Sequence, residues 1–163
     1  MRKHKGFSLI ELLIVVAIIL IIAAIAIPNL LRARMAANEA SAVGSIRTLN
    51  TAEVTYQSSF PTVGFASTLA ALGSPAGACV ASSTSACLID SVLTAGTKSG
   101  YTFAASAGLT AGNPLPSYNV WGNPVGPGQT GTRSFCSYED AVVRATLVAQ
   151  VLAACPVATP PLS

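Results

Sequence analysis

The residues able to do chemistry are few and poorly placed for it. The one histidine, His4, lies in the first five residues, so imidazole base and metal schemes have nothing further along the chain to use. Four cysteines, Cys79, Cys87, Cys136 and Cys155, all fall after residue 78. An oxidising compartment would turn them into disulfides, with three pairings open. Nearness in sequence favours Cys79–Cys87 and Cys136–Cys155. The second bridge would tie down the tail and contribute about 3 kcal/mol. There is no Cys-x-x-Cys to suggest zinc. Glu139-Asp140 is the one adjacent acidic pair, but calcium takes six to eight oxygens, so a solvated turn is expected. No Gly-x-Ser-x-Gly, P-loop or dinucleotide fingerprint occurs. The expectation is a non-enzyme with no cofactor and no metal.

Composition points the same way. Charged residues are 9% of the chain and apolar residues 52%, whereas a soluble domain carries about 25% charge. The net charge of +3 comes entirely from Arg2, Lys3 and Lys5; beyond them six basic and six acidic residues cancel. That excludes a nucleic-acid binder driven by bulk charge. A local patch such as Lys98 with Arg133 is the remaining route, and no nucleic-acid partner is expected.

The element that dominates the chain is an apolar run. Leu12 to Ile27 is uninterrupted, 16 residues, or about 24 Å as a helix. Extended to Phe7 and Leu31 it reaches about 37 Å, enough for a hydrocarbon core of about 30 Å. A cleavable signal would have a shorter apolar region, and a buried core helix would need an equally apolar partner downstream, which is absent. A single transmembrane helix remains, with the basic cluster held in the cytoplasm and the rest exported. Glu11 interrupts this pattern. Either it marks a wet boundary, or it has a cationic partner, and no Lys or Arg follows it before Arg32.

Gly6-Phe7-Ser8-Leu9-Ile10-Glu11-Leu12-Leu13-Ile14-Val15-Val16-Ala17-Ile18-Ile19, with its short basic leader and with Pro28 further on, resembles the N-terminus of a type IV prepilin. The resemblance implies cleavage after Gly6 by a prepilin peptidase and methylation of the new N-terminal Phe7. It also supplies the missing cation: the Phe7 ammonium of a neighbouring subunit would meet Glu11, a pair kept for register more than for net stability. Pro28 would then mark a segment that melts when subunits pack; the plainer reading is a kink. Gly44 is a second weak point in the helix.

Past Pro28 the helical pattern becomes amphipathic. Leu31, Met35, Val43, Ile46 and Leu49 recur at helical spacing, with Arg32, Arg34, Asn38, Glu39, Ser45 and Arg47 on other faces. The helix is expected to stop near Ser58, ahead of Phe60-Pro61. At about 78 Å it would be too long for a globule, so its first half would project. Four regions are expected: a leader over 1–6, a membrane or filament-core helix over 7–31, an amphipathic half over 32–58, and an exported domain over 59–163.

In that domain Ser67–Gly73 reads as a short helix with a serine N-cap and a glycine stop, and Cys87–Leu93 as a further turn. Residues 74–87 and 108–116 read as loops. Strands are expected at Gly100–Ala104, Tyr118–Trp121 and Arg133–Ser137, with a fourth at Val142–Arg144 and a turn over Gly126–Gly131. Thr146–Ala154 is compatible with a last helix. The fold class is α+β, a long helix closed by a small antiparallel sheet.

The sequence Gly100-Tyr101-Thr102-Phe103, followed by a proline-rich hairpin, an arginine, an aromatic and an acidic turn, resembles a subgroup of pilins. The resemblance as a whole implies a structural subunit that polymerises through its N-terminal helix into a surface filament for adhesion, twitching or DNA uptake. Its partners would be further copies of itself, an inner-membrane assembly platform and minor pilins. It would sit in the inner membrane before assembly and in an extracellular filament afterwards. The alternative is a pseudopilin of type II secretion in a periplasmic pseudopilus. Trp121-Gly122-Asn123-Pro124 is similar to a motif of that group, without the acidic ligands that accompany it there. A monomeric membrane-anchored binding module is the third reading, and it leaves Glu11 and the Gly6-Phe7 junction unexplained.

Overall fold

The computed structural model describes residues 7–74, 79–107, 112, 114–146, 155 and 160–162. The leader with Gly6, parts of the two loops, and the tail beyond Thr146 apart from Cys155 and residues 160–162 lie outside them. The chain divides into two compact units, Met1–Arg34 and Met35–Ser163. The helix α1, Leu9–Ser59, contributes to both.

In the first unit α1 is apolar and its large side chains are exposed, from Leu9 through Leu31. Pro28 lies inside the helix without ending it, although it removes the donor that the Ala24 carbonyl would otherwise use.

In the second unit α1 shows a buried stripe: Glu39, Ala42, Ser45, Ile46, Leu49, Asn50, Ala52, Glu53 and Tyr56. The spacing of three and four keeps one face inward. Glu39 and Ser45 belong to that face, contrary to the periodicity reading. Each finds a partner that makes burial tolerable: Ser45 donates to the Ser41 carbonyl at 3.0 Å, and Glu39 is held by β-sheet residues described below. Phe60 N–H donates to the Tyr56 carbonyl at 2.8 Å, and Pro61 follows, so the helix stops one residue later than expected.

A five-stranded antiparallel sheet closes the core. Its strands are β1 (Thr97–Lys98), β2 (Tyr101–Ala107), β3 (Tyr118–Pro124), β4 (Ser134–Tyr138) and β5 (Arg144–Thr146), in chain order across the sheet. The architecture is the expected α+β, but the strands differ in detail: β2 runs on to Ala107 and β3 through Gly122-Asn123 to Pro124, past their expected ends at Ala104 and Trp121, because the two pair along their whole length. β1 is an additional two-residue strand, paired Thr97↔Thr102 and Lys98↔Tyr101. The last strand begins at Arg144 rather than Val142 because Val142 N–H turns to the Asp140 carboxylate.

Two short helices cover the core edge, α2 (Leu69–Leu72) and α3 (Ser91–Thr94). Thr68, not Ser67, caps α2, accepting from Ala71 N–H. Asp90 caps α3 through Leu93 N–H at 2.7 Å. The core joins Ile46, Leu49 and Tyr56 of α1 to Tyr101, Phe103, Tyr118, Val120 and Phe135 of the sheet. Gly122 pairs with Phe103 across β2 and β3. A Cβ there would stand 2.8 Å from the Phe103 ring, so packing alone requires glycine in Trp121-Gly122-Asn123-Pro124.

Candidate functional site

The N-terminal site is built on the first turn of α1. Phe7 is 78% exposed. Ser8 precedes the helix, and its N–H donates to Glu11 Oε2 at 2.9 Å, while Leu12 N–H donates to the Ser8 carbonyl at 3.3 Å. Ser8-Leu9-Ile10-Glu11 is therefore half of a capping box, in which the third helical residue reaches back to the cap. Glu11 thus has a local partner as well as its charge. The Ser-x-x-Glu spacing is the signal of this cap in the sequence. Among the described residues α1 alone is long and apolar enough to cross a membrane.

A family model, the prokaryotic N-terminal methylation motif, matches residues 1–27. The type IV wide pilus major component PilA4 of Thermus thermophilus is 69% identical over 39 residues, 24% of this chain and 30% of that protein. The type IV major pilin protein PilA of Myxococcus xanthus is 45% identical over 54 residues, 33% of this chain and 24% of that protein. The N-terminal segment of the chain is thus similar to those of type IV pilins. It covers less than a third of either relative's length. No solved structure matches it at a significant level. The long helix and small antiparallel sheet give it a pilin-like architecture.

In the second unit the buried polar groups were not legible in the sequence. Glu39 Oε1 accepts from Thr132 N–H at 2.8 Å, Thr132 Oγ1 at 2.9 Å and Arg133 N–H at 3.3 Å. Its Oε2 takes Arg133 Nε and the second guanidinium nitrogen, both at 2.8 Å. Burial alone would raise the Glu39 pKa, but these donors outweigh it and hold the carboxyl below its usual range. Glu53 is the opposite case. It is fully buried and Oε2 accepts only Ala66 N–H, at 2.8 Å. Oε1 has no partner among the described residues. Desolvation pushes its pKa up to about 8. Asn50 donates to Ser137 Oγ and the Ala141 carbonyl, both at 3.0 Å, and accepts from Tyr118 Oη at 3.2 Å. It ties α1 to the turn after β4.

Lys98 pairs with Asp90 at 3.3 Å, and Arg133 with Glu39. Each member of the suggested basic patch thus has its own carboxylate. In the Glu139-Asp140 turn only Glu139 has no ion-pair partner among the described residues. Asp140 holds Arg144 through both guanidinium nitrogens, and that guanidinium lies 4.0 Å from the Tyr138 ring centroid. The Arg144 hydrogen bond is the main cause of a lowered Asp140 pKa. Cys79 is bonded to Cys87 and Cys136 to Cys155. Cys155 N–H also donates to Asn119 Oδ1 at 3.3 Å, so Cys155 is held to both β3 and β4.

Proposed function

We propose that the chain is a structural subunit that polymerises through α1 into a type IV pilus. The supporting observation is an exposed apolar helix that carries the methylation motif with one carboxylate, Glu11, at its start. Apolar surface on this scale must be covered by lipid or by other copies. On this reading a prepilin peptidase cuts between Gly6 and Phe7 and Phe7 is methylated. The helix anchors the subunit in the inner membrane, and an assembly platform and minor pilins guide its entry into the filament. Glu11 then receives the Phe7 ammonium of the neighbour, and the segment around Pro28 is the weakest point of the helix when copies pack. The regions 1–6, 7–31, 32–58 and 59–163 serve as leader, anchor, helical support and surface domain.

The test separates the two roles of Glu11. Glu11→Gln keeps an oxygen for Ser8 N–H but loses the charge, and Glu11→Val loses both. An unpaired buried ammonium costs about 3–5 kcal/mol, or roughly two to three and a half orders of magnitude in a polymerisation equilibrium. With either variant as sole copy, processed protein should accumulate in the membrane while sheared surface fractions lack filaments. Normal filaments from Glu11→Gln would leave only the capping role. A parent strain with no surface filaments but a secretion defect on deletion would assign the chain to a pseudopilus instead.

A further inference from the structure

A pocket of about 350 Å³ opens in the second unit, where the last turn of α1 meets the segment after it and the turn over Ser82–Ser85. Its apolar lining is Tyr56, Val63, Phe65 and Leu115, all buried or half-buried. Its polar lining is four exposed hydroxyl residues, Ser67, Thr68, Ser83 and Thr84. No charged residue lines it.

The walls are fixed by the fold. Phe65 N–H donates to the Leu115 carbonyl at 3.1 Å, and Leu115 N–H to the Val63 carbonyl at 2.8 Å. Tyr56 Oη donates to the Ser83 carbonyl. Ser82 and Ser85 close their turn through two backbone hydrogen bonds, at 2.9 and 3.1 Å. That turn lies between Cys79 and Cys87, which are bonded to each other. A ligand entering here would have little protein left to order. The hydroxyls, by contrast, keep bonding capacity. Thr68 Oγ1 accepts Ala71 N–H at 3.3 Å and retains its own proton to donate. Thr84 Oγ1 shares one hydrogen bond with Ser82 Oγ, at 3.1 Å. The Ser67 and Ser83 hydroxyls make none among the described residues.

We propose that this pocket binds one ring of an uncharged sugar. An anion would find no cation in the lining and a cation no carboxylate, and either would give up its hydration on entry. A wholly apolar ligand would cover the four hydroxyls and leave them unpaired. A hydroxyl both donates and accepts, so the best match to a cluster of hydroxyls is another cluster of hydroxyls. A pyranose offers that around its rim, and its C–H groups suit the apolar lining. The inference adds a ligand to the second unit and stands whether or not the chain polymerises.

The experiment uses the full-length chain with its native disulfides in a phosphocholine detergent, which has no sugar headgroup to compete. Saturation-transfer NMR is recorded with the methyl glycosides of glucose, galactose and N-acetylglucosamine, and with glucuronic acid as the charged control. At least one neutral glycoside should bind in the millimolar range, with saturation strongest at its C–H protons, and glucuronic acid should bind more weakly. Ser67→Ala with Ser83→Ala, both at exposed positions, should weaken binding roughly tenfold while leaving the thermal unfolding curve in place. Ala71→Phe, which fills the pocket from α2, should abolish binding. Val125→Ser, on a residue outside the lining, should change nothing. A trisaccharide that binds more tightly than its own methyl glycoside would assign the site to a glycan chain, and equal affinity to a free sugar. No binding of any neutral glycoside, equal binding of glucuronic acid, or undiminished binding by the double serine variant would each overturn the proposal. Filaments without sugar binding would defeat this inference alone, and sugar binding without filaments would defeat only the polymer reading.

Discussion

Glu53 reaches from the buried face of α1 to the backbone N–H of Ala66, and that single 2.8 Å hydrogen bond is its only one among the described residues. A charged carboxylate in this position has no cation beside it. Tyr56 and Tyr118, the titratable groups whose pKa values it raises electrostatically, are both neutral hydroxyls at ordinary pH. The protein therefore holds Glu53 protonated well above the pH at which an unfolded glutamate ionises.

Stability should therefore fall with rising pH. The folded pKa of about 8 lies above the unfolded value of 4.5, so the folded state binds the proton more tightly. The contribution is full below pH 4.5, declines as pH rises, and is gone above pH 8, a change of about 5 kcal/mol across the window. Thermal unfolding of the full chain in detergent, followed by circular dichroism from pH 5 to 9, measures it. Glu53→Gln should remove most of this slope and be the more stable protein at pH 9. Parallel curves for the two proteins would show that Glu53 is ionised in the fold.

The Glu39 carboxylate gathers Thr132 and Arg133 at the entry to β4. Its side chain is 10% exposed and that of Arg133 39%, so solvent screens part of the attraction. Glu39→Ala leaves the Thr132 N–H without its acceptor and should cost about 2–3 kcal/mol. Arg133→Ala, which spares that N–H, should cost about 1 kcal/mol. Urea unfolding of both variants in detergent gives the order, and a larger loss for Arg133→Ala would reverse the assignment.

The Cys136–Cys155 bond closes a sequence separation of 19 residues. Paired Cys136→Ser and Cys155→Ser substitutions should lower stability by about 3 kcal/mol and expose the tail to protease. Peptide mapping without reductant should recover the Cys79–Cys87 and Cys136–Cys155 peptides as linked pairs. Any other pairing would contradict the fold around Asn119.

Gly6 should be required for processing. A peptidase that cuts after this residue must approach the backbone closely, and a β-branched side chain obstructs that approach. Gly6→Val should accumulate as precursor, with an intact leader by mass spectrometry. A mature chain beginning at Phe7 would show that the glycine is dispensable.

Local order along the chain was enough to read the apolar helix and the strands around Tyr101, Tyr118 and Phe135. Hydropathy over two dozen residues and period-two alternation are properties of neighbours in sequence, and they survive without knowledge of the fold. Proximity in sequence also suggested Cys79–Cys87 and Cys136–Cys155, but only the folded chain brings each pair together. The roles of Glu39, Asn50 and Glu53 depended wholly on tertiary structure. Each is a polar residue that helical periodicity alone would leave in water, and their partners lie up to 94 residues away. The two-residue strand β1 likewise has no signal of its own, because it exists only through pairing with β2. Burial of a polar group is decided by whether a distant donor arrives to meet it. Thr132 and Arg133 arrive at Glu39, whereas Glu53 receives only the Ala66 N–H and keeps its proton instead.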